Sequence, residues 1–149
     1  MGLDMYLYAK KYVSAYDEKE KALKVRDILG VPLSGNLESC QLSFEVMYWR
    51  KANQIHAWFV KTCADGKDEC QNIEVTREQL EDLVSLCRSA LKERDKAPEI
   101  LSRQSGFFFG SQDYDEYYFQ DLEETADGIE KLLKNKNLET FDFEYRASW

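Results

Sequence analysis

Both ends of the chain carry the two-residue period of a strand with one buried face, and the segments between them carry a helical period. At the start Leu3, Met5 and Leu7 alternate with Asp4, Tyr6 and Tyr8, which predicts a strand from Leu3 to about Val13. At the end Phe141, Phe143 and Tyr145 alternate with Asp142, Glu144 and Arg146. Strands first, then helices, then a strand again is the order of an α+β fold: a small, mainly antiparallel sheet with helices against one face. The first and last strands are expected to be neighbours. With 149 residues the chain has room for one such core, so residues 1–149 are read as a single domain.

Between the end strands the period changes several times. Residues 17–29 are charged, with Ala22, Val25 and Leu29 at helical spacing, but Lys24 to Ile28 fits a short strand equally well. Gly30, Pro32, Ser34, Gly35 and Asn36 mark a turn. Leu42, Phe44, Val46 and Tyr48 alternate with polar residues and predict a second strand near 40–48. Ala52, Ile55, Phe59 and Cys63 follow at steps of three, four and four, one face of a helix over Arg50 to Cys63. Thr76 opens the next helix, with Gln79 placed for a capping box and Val75 able to pack on Leu80. That helix runs to about Arg94, and Pro98 bars simple continuation. Phe107, Phe108 and Phe109, bracketed by Gly106 and Gly110, fit a buried strand or an aromatic loop. Asp113 is the expected cap of a third helix, with Glu116 at its N3 position and Tyr118, Leu122, Ile129 and Leu133 as its buried stripe as far as Lys134. About three helices are therefore expected against the sheet.

Charge narrows the partner classes. Lys and Arg number 20 and Asp and Glu 28, a formal net charge of −8. Such a balance argues against nucleic acid and against an anionic membrane as partners. No stretch approaches the roughly 18 apolar residues of a membrane helix, and Met1 to Lys10 lacks a signal-peptide pattern, so the chain is read as cytoplasmic. Cys40, Cys63, Cys70 and Cys87 form no C-x-x-C pair and are read as reduced thiols.

The acids are unevenly spread. Eight of them and no cation lie between Asp113 and Glu130, while the rest of the chain balances. On a helical wheel Glu116, Glu123, Glu124, Asp127 and Glu130 gather opposite Tyr118, Leu122 and Ile129. This face is either a solvated surface or a docking surface for a protein with a basic surface, where complementary charge speeds association. Asp113, Asp115 and Glu116 do not form a calcium loop, because the glycine at its sixth position is missing.

His56 is the only histidine, and so the one side chain whose ordinary titration lies near neutral pH. The wheel puts it at the boundary of the buried stripe, where it either packs in the core or joins Arg50, Lys51 and Asn53 at a helix start that could bind a phosphate or carboxylate. Asp4, Arg50, Asn53 and His56 form the candidate ligand site. If a reaction is catalysed there, His56 is the candidate acid or base. Ion pairing of Arg50 and Lys51 with the acidic helix competes with that site. His56 and Cys63 are seven residues apart on one helix, about 10 Å of rise, too far to share a zinc ion. No P-loop, G-x-S-x-G or H-E-x-x-H pattern occurs, and no cofactor or metal is expected.

Four blocks occur in order: MGLDMYLY from Met1, YWRKANQIHAWFV from Tyr48, QSGFFFGS from Gln104 with YDEYY from Tyr114, and the final Ala147-Ser148-Trp149. In these the chain resembles a family of small uncharacterised proteins of bacteriophages and bacterial genomes. The resemblance implies an accessory protein of phage or prophage that binds or inhibits a host protein, such as a defence or nucleic-acid-processing factor. It implies no catalytic residue.

Overall fold

The computed structural model describes residues 2–30 and 39–149. The chain runs through strand β1 (Asp4–Val13), helix α1 (Lys19–Leu29), β2 (Cys40–Arg50), α2 (Asn53–Cys63), β3 (Ile73–Val75), α3 (Arg77–Lys92), the short α4 (Ala97–Ile100), α5 (Glu116–Lys134) and β4 (Asp142–Ser148). The fold is α+β, with five helices among the described residues where about three were expected. The 17–29 segment resolves as helix, closed by Gly30 in the left-handed region at φ 63°. The turn expected at Pro32, Ser34, Gly35 and Asn36 lies outside the described residues.

Every strand pair is antiparallel, in the order β2-β1-β4-β3. The two ends of the chain are indeed neighbours, with Leu7 opposite Tyr145 and Ala9 opposite Phe143. Leu3, Met5, Leu7 and Ala9 are fully buried and meet Phe143 and Tyr145 on one face. Onto it pack Ile55 and Phe59 of α2, Leu80 and Leu83 of α3, and Tyr118, Leu122 and Ile129 of α5. The opposite face carries Tyr6 and Tyr8 of β1, Tyr48 of β2 and Arg146 of β4, all at least partly exposed.

β2 departs from simple alternation. Leu7 pairs with Met47 and Tyr8 with Glu45, so Val46 is an extra residue in a bulge. A one-residue bulge reverses which side chains face the core. Trp49 is therefore buried, and its indole N–H donates to Thr125 Oγ1 of α5 at 2.8 Å. Tyr48, expected on the same face as Phe44, stands on the open face instead.

Two helix starts also move. α2 begins at Asn53, not Arg50, because β2 stays paired with β1 through Arg50, and Lys51 donates its N–H to Leu3 O at 2.8 Å. Lys51 then takes the left-handed conformation, φ 59°, which turns the chain into the helix. The cap of α5 is Asp115, whose side chain accepts from Tyr118 N at 3.1 Å. Asp113 bonds Ser111 through backbone and side chain, two residues too early to cap. Thr76 caps α3 as expected, with both bonds of the capping box formed, at 2.8 and 3.1 Å. β3 is too short to leave a periodic signal. No helix among the described residues is long and apolar enough to cross a membrane.

Candidate functional site

Asn53, the first residue of α2, is fully buried. Its amide nitrogen donates to Phe109 O at 3.0 Å and Ser111 O at 2.9 Å, and its amide oxygen accepts from Gln104 N at 3.3 Å. All three bonds go to one loop, residues 102–115, which joins α4 to α5. The base of that loop is tied by Arg103. The Arg103 guanidinium donates to Asp113 O at 2.8 Å and to Gln54 Oε1 at 3.0 Å, and lies 5.0 Å from the centre of the Tyr118 ring. Gln54 in turn donates to Asp121 Oδ2 of α5 at 3.1 Å. Burial pushes the Asp121 carboxyl above its usual range, and the Gln54 bond partly offsets this.

The three-phenylalanine run is thus an ordered loop, not a strand. A tight turn puts Phe109 N on Gly106 O at 3.1 Å, and Leu3 N donates to Phe108 O at 3.1 Å. Gly106 lets the Phe109 ring approach, since a Cβ there would sit 2.7 Å from its Cγ. Phe109 goes into the core, Phe108 lies half-buried, and Phe107 is 95% exposed.

His56 is also buried. Nδ1 lies 2.7 Å from the Tyr145 hydroxyl and Nε2 lies 3.1 Å from Asp68 Oδ2. One neutral tautomer satisfies both: Tyr145 O–H donates to Nδ1, and Nε2–H donates to Asp68. The rings of Phe109 and Trp149 close on the imidazole edge to face, at 5.1 and 5.6 Å between centroids. Burial lowers the His56 pKa from its ordinary value, and the Asp68 carboxylate only partly opposes that. Buried Tyr145 is raised well above the usual phenol range.

A histidine with a lowered pKa binds fewer protons folded than unfolded near its unfolded value, about 6.5. Its contribution is therefore present above pH 6.5 and is lost as pH falls below it. Urea midpoints measured at pH 7.5 and 5.0 should fall less in His56→Gln than in the parent. An equal fall in both chains would show that His56 does not set this dependence.

The four candidate ligand residues do not converge. Asp4 and Arg50 are paired across β1 and β2 on the open face, where Asp4 accepts from the Tyr48 hydroxyl at 2.5 Å. Asn53 and His56 lie in the helix layer with their polar atoms engaged. Two clefts open over the sheet. One, of about 680 Å³, runs over the β3–β4 edge and is lined by Lys10, Glu74, Arg77 and Asp142 among others. The other, of about 400 Å³, shares Lys10 and Glu144 with it and adds Tyr8, Asn72 and Arg146. None of the four candidate residues lines either cleft. Among the described residues no three His, Cys, Asp or Glu side chains are grouped to hold a metal ion. All four cysteines are free thiols, with burial pushing Cys63 up to about 11 and Cys87 up to about 12.

The acidic helix is partly neutralised from within, and not by Arg50 or Lys51. Arg94 bonds Glu116 at 2.7 Å, and Arg88 of α3 reaches Asp127 at 2.6 Å and Glu130 at 3.1 Å. Lys134 is 3.8 Å from Glu130, and Arg103 is 3.9 Å from Asp115. Of the five acids on the outer face, Glu116, Asp127 and Glu130 are therefore paired: α3 packs along α5 and sets Arg88 beside Asp127 and Glu130, and Arg94, just past the end of α3, lies beside Glu116. Glu123 and Glu124 are exposed, and among the described residues no cation reaches either. Gln120 donates to Glu124 at 2.8 Å.

Sequence reasoning did not find the roles of Arg103, Gln54 and Asp68, and it read Tyr145 as a residue of the last strand without its bond to His56. Their roles rest on partners up to 89 positions away, as between His56 and Tyr145, and such pairs leave no local signal. No protein-family model, curated protein or solved structure matches the chain, so its geometry stands as the guide to function.

Proposed function

We propose that this chain is a binding protein that docks on a basic surface of a host protein through the outer face of α5, with the exposed ring of Tyr117 at its flank. The observation that carries the reading is the charge left over after folding. Among the described residues four cations reach four of the eight acids of residues 113–130, and Glu123 and Glu124 stand at mid-helix with none. Acids beyond the first turn gain nothing from the helix dipole and repel one another, so a complementary surface relieves a cost the fold bears alone. The host setting comes from the resemblance to phage and bacterial proteins, and complementary charge would act mainly on the association rate.

The test is capture from bacterial lysate at low salt. Glu123→Lys with Glu124→Lys should abolish capture of the partner and leave the melting temperature unchanged. Asp127 is left in place, because a lysine there would face Arg88 and disturb the fold. Glu20→Lys with Asp27→Lys on α1 makes the same change in net charge at exposed positions elsewhere and should capture normally. Equal capture by both double variants would end the proposal.

A further inference from the structure

β2 is an outer strand of the sheet, and its far edge is left without a partner strand. It runs for 11 residues, Cys40–Arg50, at one end of the order β2-β1-β4-β3. β1 pairs with the backbone groups on one side, and among the described residues no hydrogen bond is made to those on the other. Proteins blunt exposed edges of this length with proline or with several charges. Between Cys40 and Trp49 there is no proline, and Glu45 is the only charge. Phe44 and Tyr48, on opposite faces of the strand, are both about half exposed. Such an edge is a template for one more strand.

We infer that this edge is where two copies of the chain join, β2 against β2 and antiparallel, about a two-fold axis at the Val46 bulge. What selects a second copy is the order of facing and charge along β2. Pairing with β1 puts Ser43, Glu45, Tyr48 and Arg50 on the open face, opposite Lys10, Tyr8, Tyr6 and Asp4. Odd positions face that way before Val46, and even positions after it. Directly opposite residues of an antiparallel pair share a face. Glu45 opposite Tyr48 of the second copy, with Phe44 opposite Trp49 and Ser43 opposite Arg50, therefore matches both faces residue for residue and needs no further bulge.

That register also sets Glu45 diagonal to Arg50 of the second copy, within reach of long side chains, and the two-fold axis makes the contact twice. Among the described residues neither Glu45 nor Arg50 has an ion-pair partner in its own chain. The strand thus carries its own complement. The sheet's other edge does not offer one, because β3 has only three residues and Glu74 at its centre lies opposite Glu144. Assembly through β2 alone closes at the dimer and does not propagate. None of the acids proposed for docking on α5 takes part.

The experiment is sedimentation of the purified chain from about 1 to 200 μM at low salt, with the expected result a dimer that dissociates on dilution within that range. Glu45→Arg changes an exposed side chain with no partner, so it should leave the melting temperature unchanged and weaken dimerisation roughly tenfold or more, as two attractive contacts become repulsive. Arg50→Glu should weaken it equally. An equimolar mixture of the two variants should recover the dimer, because each supplies the charge that the other lacks. Phe44→Asp, on the other face of the same ladder, should also weaken it, and this keeps the test independent of any effect of Arg50→Glu on the neighbouring Asp4.

A chain that stays monomeric over the whole range would overturn the inference. So would a dimer that Glu45→Arg and Phe44→Asp leave unchanged, a mixture of the two charge variants that stays monomeric, or assemblies that keep growing with concentration.

Discussion

Tyr145→Ala is expected to cost about 3–5 kcal/mol of folding free energy. Tyr145 is fully buried in β4, its ring stacked on Phe59 of α2 at 4.0 Å and 11°. Truncation opens a cavity between sheet and helix and also removes the hydroxyl that satisfies His56 Nδ1. Against a total stability of about 5–15 kcal/mol, the loss should lower the melting temperature by roughly 10 °C. Tyr145→Phe separates the two contributions, because it keeps the stack and leaves only the buried nitrogen unpaired, for about 1–3 kcal/mol. Thermal and urea unfolding of both variants measure this. An alanine variant that melts within a degree or two of the parent would mean that β4 and α2 do not pack as described.

Asn53→Ala should be nearly as costly, about 2–4 kcal/mol, and its effect should be local. The substitution strands two carbonyls and one N–H of the same loop. Gln104 and Ser111 are only partly covered, so water recovers some of the loss, which keeps the figure below three full unsatisfied groups. The clearer readout is hydrogen exchange or limited proteolysis across residues 104–112, which should become fast in the variant while the α3 amides stay protected. Asn53→Asp is expected to be at least as damaging, because it places a carboxylate against two carbonyl oxygens. Slow exchange of the loop in Asn53→Ala would show that Arg103 and the Gly106–Phe109 turn suffice without it.

Much of the framework was legible in the residues. The alternation of Leu3, Met5 and Leu7, and of Phe143 and Tyr145, marked two strands that turn out to be paired. Thr76 and Gln79 marked the start of α3, and the stripe of Tyr118, Leu122 and Ile129 marked the buried side of α5. The misses have physical causes. The bulge at Val46 moved Tyr48 to the open face, because an inserted residue alters facing without altering the apolar pattern. The start of α2 was placed too early, because pairing with β1 holds Arg50 and Lys51 in the sheet against any helical tendency of their own. Asp113 and Asp115 are equivalent as cap residues by type, and only the bonding of Asp113 to Ser111 separates them.

The candidate site was legible in its parts and not in its arrangement. His56 and Asn53 drew notice as residue types, yet one bonds Tyr145 and Asp68 and the other clamps a loop more than fifty positions away. What the sequence by itself determined is whatever depends on neighbours within a few residues: strand period, helix stripe, the cap of α3 and the local excess of acid. What only the tertiary structure decided is which of those acids are neutralised and which aromatic ring is left in water. Arg88 meets Asp127 and Glu130 because α3 docks along α5, and Phe107 stands exposed because Phe109 turned inward. Both outcomes follow from contacts between elements distant in the chain, where geometry and not composition selects the partner.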